Sequence, residues 1–201
     1  MGRIVVPIYF DYASTLCYIA WRIVRELQLE LAFEPLWKGV PIQWRSPFSR
    51  PGQVLGAVEQ AKIAAVVAET GVQVTPPAHW IDSLNALMAS ELARQAGVFD
   101  SFHNAVFHGT FDLGLDISSP IQLAKLAAQT GMDEAAFRQA LENRVMEPQL
   151  RKNKLEADRF SAVGYPTFML GEFPLIGIQS KGTMRSVLAR FLAQRRGEPQ
   201  G

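Results

Sequence analysis

The chain has 201 residues, 48% of them hydrophobic, enough to bury a core without a disulfide staple or a structural metal. Its single cysteine, Cys17, excludes an internal disulfide and a cysteine-rich zinc site. With 20 Lys+Arg against 19 Asp+Glu there is no basic field to hold a nucleic acid, so no nucleic-acid partner is expected.

No apolar run approaches the ~18 residues of a membrane span, so no membrane partner is expected either. The first eleven residues carry one basic residue and pass straight into Ile4, Val5, Val6, Ile8, Tyr9 and Phe10. That pattern reads as a strand rather than a signal peptide, and a cytoplasmic protein is the expectation. The lone cysteine agrees with a reducing compartment.

In chain order, Arg3 to Phe10 reads as a strand covered on both faces. Asp11-Tyr12-Ala13-Ser14 is a turn, and Leu16, Ile19, Ala20, Ile23, Val24 and Leu27 then follow at helical spacing. Leu31 to Lys38 is again strand-like, and Pro35 places it at an edge or ends it early. From Gly39 to Gly52 the chain is a loop rich in proline and aromatic residues, too apolar for a linker. A helical block follows: Gln53–Thr70, Ile81–Ala96, Phe99–Phe111, a helix capped at Ser119 with Pro120 and Gln122, one capped at Asp133 with a Met132–Phe137 staple, and Glu147–Ala162 stopped by Gly164. Thr167–Leu170 and Phe173–Ile176 flank Gly171-Glu172 as a tight hairpin, and Lys181–Gln194 forms a last amphipathic helix before a polar tail at 197–201 that is expected to fray.

The order β-α-β, helical block, β-β-α predicts an α/β thioredoxin-like fold with a helical insertion, because a right-handed crossover and a following hairpin can share one sheet. Residues 1–46 and 163–201 are assigned to the thioredoxin-like domain and 47–162 to the insertion.

In this layout chemistry belongs at the start of the first helix and in the loop before the hairpin. Here these read Asp11-Tyr12-Ala13-Ser14-Thr15-Leu16-Cys17-Tyr18-Ile19-Ala20 and Gly164-Tyr165-Pro166-Thr167-Phe168. With Asp116-Ile117-Ser118-Ser119-Pro120 and Gly177-Ile178-Gln179, these segments resemble the DsbA-like family, most closely its FrnE-like branch. There a strand runs into an aspartate, two residues, Cys-Pro-x-Cys and Tyr-Ile-Gly. The resemblance implies a thiol-disulfide oxidoreductase family and a cis-proline at Pro166, with Tyr165, Pro166, Thr167 and Gln179 beside the bound thiol. A cis bond there would leave the Tyr165 backbone free to pair with an extended thiol peptide.

In that register Ser14 takes the place of the nucleophilic cysteine and Cys17 that of the resolving one, so CxxC has become SxxC. Dithiol exchange needs a thiolate of lowered pKa, and a helix N-terminus does not make an alkoxide of serine. Ser14 is on its own an ordinary N-cap. It can also donate to a bound thiolate, as the resemblance to kappa-class glutathione transferases and 2-hydroxychromene-2-carboxylate isomerases implies, with glutathione as cosubstrate and no cofactor required. Cys17 reads as a small buried hydrophobe or as a one-cysteine catalyst.

The Gly-x-Asp-Arg type motif of the glutathione-using relatives is absent around Gln179, and so is their asparagine after the second strand. Lys38, Arg45 and Arg50 could meet a carboxylate. Trp37, Trp44 and Phe48 could wall an acceptor site above Ser14, although such aromatic residues commonly belong to a core. His103 and His108, five apart, lack the i, i+4 spacing of helical zinc ligands. Three functions follow: a DsbA/FrnE-like oxidoreductase working through Cys17, a glutathione-dependent transferase or isomerase using Ser14, and a non-catalytic thiol- or peptide-binding protein. The partner in each is a small thiol or a thiol peptide, and a homodimer is compatible with the apolar loop and insertion.

Overall fold

The computed structural model describes residues 3–45, 47 and 49–197; Phe48, the boundary residue Ser46 and the tail at 198–201 lie outside them. Among the described residues the strands β1 (Ile4–Phe10), β2 (Phe33–Gly39), β3 (Thr167–Leu170) and β4 (Phe173–Ile176) form one sheet in the order β2-β1-β3-β4. Strand β1 pairs in parallel with β2, Ile4 opposite Phe33 through Phe10 opposite Gly39, and antiparallel with β3, Tyr9 opposite Thr167. Helix α1 (Thr15–Glu30) makes the crossover between the parallel strands, as their parallel pairing requires. Pro35 sits in β2 at the sheet edge, where its missing N–H costs no ladder bond. Strands β3 and β4 close through Gly171, which takes the positive φ of 70° that the turn needs. This is the thioredoxin-like arrangement.

Helices α2 (Ala57–Thr70), α3 (Leu84–Gln95), α4 (Phe99–Asp112), α5 (Pro120–Gln129), α6 (Glu134–Glu142) and α7 (Glu147–Arg159) come between β2 and β3 in the chain, and α8 (Lys181–Arg196) closes it. Ser119 and Asp133 cap α5 and α6 as their spacing predicts, accepting the N–H of Gln122 and Ala136. Three predicted boundaries move. Residues 53–56 precede α2 rather than begin it, because Val54 bridges to His79 and Gly56 is the N-cap. Helix α3 starts at Leu84 rather than Ile81. Helix α7 ends at Arg159, and Ser161 at φ 54°, not Gly164, takes the left-handed turn. At the end of β2, Gly39 lets the insertion approach the sheet: a Cβ there would lie 2.9 Å from the Leu87 side chain of α3.

One continuous core joins the sheet to the insertion. Phe10, Tyr12, Trp37, Phe107 and Trp21 are buried in it in edge, tilted and stacked contacts at centroid distances of 4.8–6.0 Å. A smaller cluster, Ala13, Leu55, Ile63 and Trp80, with Leu16 packed against it, lays α2 and the segment before α3 over the first turn of α1.

The carboxylate of Asp11 joins three segments where β1 ends. Its Oδ1 accepts the Ala13 N–H at 2.8 Å and the Ser83 hydroxyl at 2.5 Å, and its Oδ2 accepts the Ile42 N–H at 2.6 Å. Asp11 is fully buried, so removing one donor exposes the unfavourable side of burying it. Ser83→Ala is expected to lower stability by about 1.5–3 kcal/mol, the range for a hydrogen bond to a charged group. This would be read as a lower urea midpoint at unchanged slope; a midpoint equal to wild type would refute the assignment.

Candidate active site at the start of helix α1

The turn after β1 places Ser14 at the N-cap of α1. The Ser14 N–H donates to the Asp11 carbonyl at 3.1 Å, and Ser14 Oγ accepts the Cys17 N–H at 3.3 Å. The N–H groups of Thr15 and Leu16 make no hydrogen bond among the described residues. Two free N–H groups and the Ser14 side chain therefore lie at the positive end of a 16-residue helix, an arrangement that favours an anionic atom. Ser14 is 5% exposed, so such an atom would be largely out of water.

Cys17, one turn on, has no exposed surface and is a free thiol. Burial pushes its pKa up to about 12, against weaker opposing hydrogen bonds from the Asp11 backbone and Ser14. At neutral pH it is a protonated thiol. Asp11 is likewise shifted upward by burial, with its hydrogen bonds opposing the shift.

The loop before β3 stands beside this turn. The β1–β3 register, Tyr9 opposite Thr167, carries Pro166 to the level of Phe10, next to Asp11. The Tyr165–Pro166 peptide is cis. Thr167 is buried and its hydroxyl donates to the Gly164 carbonyl at 2.5 Å, which holds the loop. The N–H of Gly177, at φ 89°, donates to the Pro166 carbonyl at 2.7 Å, so the 177–179 segment flanks the proline. Gln179 is exposed there, just before Ser180, the N-cap of α8. The backbone N–H and C=O of Tyr165 make no hydrogen bond among the described residues.

Arg45 closes another side. It pairs with Asp158 at 2.5 Å, and its guanidinium carbon lies 5.3 Å from the centre of the Tyr165 ring. Arg45 Nε and the Tyr165 hydroxyl are both buried without a partner among the described residues. Burial, partly offset by Arg45, raises the Tyr165 pKa and keeps that hydroxyl a neutral donor.

The other sequence candidates fall elsewhere. Trp37 packs in the core against Phe10 and His103, at centroid distances of 5.5 and 4.9 Å, instead of walling Ser14. Trp44 is half-buried beneath Arg151. The apolar wall over the first turn is made by Leu55, Ile63 and Trp80, which the sequence did not single out because each reads as ordinary helix or loop filling. Lys38 is paired with Glu156, while Arg50 is exposed. His103 and His108 bond to Tyr12 and Asp112, and among the described residues no group of three metal-ligating side chains exists. Among the described residues no helix is long and apolar enough to cross a membrane.

A sheet built on a parallel crossover and a hairpin, with a cis-proline before the hairpin, defines a thioredoxin-fold protein. The chain belongs to the DSBA-like thioredoxin domain family, whose family model matches residues 5–189. It is 26% identical over 203 residues to the uncharacterized protein YwbO of Bacillus subtilis (strain 168), covering 92% of this chain and 95% of that one. In fold it is similar to a 2-hydroxychromene-2-carboxylate isomerase, with a TM-score of 0.74 at 18% identity over 96% of this chain and 98% of that one. It is similar as well to the cytosolic disulfide reductase DsbM of Pseudomonas aeruginosa, solved with GSH, with a TM-score of 0.66 at 16% identity over 96% and 98%.

The raised Cys17 pKa has a thermodynamic consequence. A thiol whose folded pKa lies above its unfolded value of 9.0 contributes stability that is intact below pH 9 and is lost as pH rises toward about 12. The stability gap between wild type and Cys17→Ala is therefore expected to shrink by about 1 kcal/mol from pH 9.5 to 10.5, just under the 1.36 kcal/mol that one pKa unit represents. Guanidinium melts of both proteins measure it; a gap independent of pH would mean that Cys17 ionises freely in the native state.

Proposed function

We propose that this DsbA-family protein is a glutathione-dependent enzyme, a transferase or isomerase, in which Ser14 holds the sulfur of the bound thiol as a thiolate. The observation that carries this reading is the pairing at the start of α1: Cys17 is sealed in the core and protonated, while Ser14 stands at the N-cap beside the unused N–H groups of Thr15 and Leu16. Donors aimed at a sulfur lower its pKa, and a thiolate is the nucleophile for addition to an electrophilic carbon. A transferase keeps the resulting carbon–sulfur bond; an isomerase breaks it again after the carbon skeleton has turned.

The surrounding groups suit the rest of such a ligand. The unpaired backbone of Tyr165 can bond an extended peptide in antiparallel fashion, and Arg45 Nε with the Tyr165 hydroxyl can receive a carboxylate. Gln179 stands at the rim. The fold likeness to a disulfide reductase solved with GSH and to an isomerase supports the choice of ligand and reaction class. A reducing cytoplasm, where glutathione keeps thiols reduced, is the setting this reading calls for. The oxidoreductase reading requires Cys17 to leave the core before it can attack a disulfide, and its burial disfavours that step.

Calorimetry with reduced glutathione tests the proposal. Wild type is expected to bind, and Ser14→Ala to bind about tenfold more weakly, the equivalent of about 1.4 kcal/mol; no binding by wild type would reject it. Insulin reduction that falls in Cys17→Ser would instead establish one-cysteine thiol chemistry at Cys17. For the carboxylate pocket, Tyr165→Phe is expected to leave stability unchanged or raise it by about 1 kcal/mol, since it removes an unsatisfied buried hydroxyl. The same variant should weaken glutathione binding, and a thermal melt with a parallel titration separates the two effects.

A further inference from the structure

A second cleft, of about 630 Å³, opens between the later turns of α1, strand β2 and the first turns of α4. That volume is typical of small-molecule sites. Ser14, Cys17, Tyr165, Pro166 and Gln179 are not among its lining residues.

Two indoles, Trp21 and Trp37, line it beside His103 and Asn104. His103 is 2% exposed; its Nδ1 bonds the Tyr12 hydroxyl at 2.8 Å, and its Nε2 is buried without any partner among the described residues. Rings of Phe10, Trp37, Phe99 and Phe107 surround the imidazole at 4.9 Å, and burial with Arg94 nearby keeps it neutral. In the tautomer that accepts the Tyr12 proton at Nδ1, Nε2–H is a donor. Asn104 has its Oδ1 taken by the Trp21 indole N–H at 2.7 Å; an indole N–H only donates, so the atom it meets is the oxygen and the amide Nδ2 is left over.

The rim supplies charge. Arg25 lies 5.0 Å over the Trp21 ring, and neither it nor Arg3 forms an ion pair among the described residues. Of the carboxylates on the rim, Glu26 is held by Lys181 at 2.8 Å and Asp100 lies in the first turn of α4, where the helix favours it. A buried donor without a partner is costly, and a cleft that joins it to a free amide, an unpaired guanidinium and two aromatic walls has the composition of a binding site.

We propose that this cleft binds a small aromatic carboxylate, its ring against Trp21 and Trp37 and its carboxylate accepting from His103 Nε2 and Asn104 Nδ2 below Arg25. Phenylacetate is the probe, followed by calorimetry and by quenching of tryptophan fluorescence. Wild type is expected to bind one equivalent, and phenylacetamide, which lacks the charge, to bind at least about tenfold more weakly, the equivalent of about 1.4 kcal/mol. His103→Phe keeps an aromatic ring in the aromatic nest and removes Nε2; it should weaken phenylacetate by a similar factor. Arg25→Gln alters only an exposed side chain, so a several-fold loss there supports the site whatever His103→Phe does to folding. Ser14→Ala should leave phenylacetate binding unchanged, which separates this site from the thiol site. No saturable binding by wild type, affinity unaltered in both Arg25→Gln and a folded His103→Phe, or loss of binding in Ser14→Ala would each overturn the proposal.

Discussion

The carboxylate of Asp11 lies out of water at the end of β1 and accepts from the turn after the strand, from Ile42 beyond β2 and from Ser83 ahead of α3. Those segments are 31 and 72 residues away in sequence, so one side chain ties the parallel strand pair to the inserted helices. A buried carboxylate has to find donors, and three from different parts of the chain fix the geometry more tightly than apolar contact does. The position of Ser14 follows directly, because its N–H rests on the Asp11 carbonyl and α1 starts there.

The same turn separates two residues that a dithiol site would use together. Ser14 stands at the N-cap, with the helix N–H groups open; Cys17 faces inward, beneath Asp11 and among the core residues. Burial without a cationic neighbour raises a thiol pKa, and Asp11 nearby adds in the same direction. The helix N-terminus, which stabilises a sulfur anion placed at its mouth, therefore acts on whatever meets Ser14 rather than on Cys17. Around that point Arg45 Nε and the Tyr165 hydroxyl and backbone N–H are donors without a partner among the described residues. The cleft beyond Trp37 repeats the pattern on a smaller scale, with a buried imidazole in place of the helix end.

Much of this was legible in the residues. The strand–turn–helix at Ile4 to Glu30, the edge character given by Pro35, the Gly171 hairpin and the caps at Ser119 and Asp133 are local features, and local propensity decides them. Less was legible where a long-range contact outweighs a local signal. Val54 reads as the beginning of a helix but bridges to His79, and Trp37 reads as a candidate wall of the site but is taken into the aromatic core. Leu55 and Trp80, which cover the first turn of α1, carry no pattern that distinguishes them from filling.

By itself the sequence determined the order of the elements, hence the sheet that a right-handed crossover and a hairpin can build, and the replacement of a nucleophilic cysteine by Ser14. Those follow from spacing, handedness and the identity of single residues. Only the tertiary structure decided that Cys17 is sealed from solvent, that Asp11 joins three segments, that Arg45 meets Tyr165, and that His103 retains an unpaired nitrogen beside a cleft. Burial and hydrogen-bond satisfaction depend on which distant residues arrive at a side chain, and that is a property of the packed chain rather than of any stretch of it.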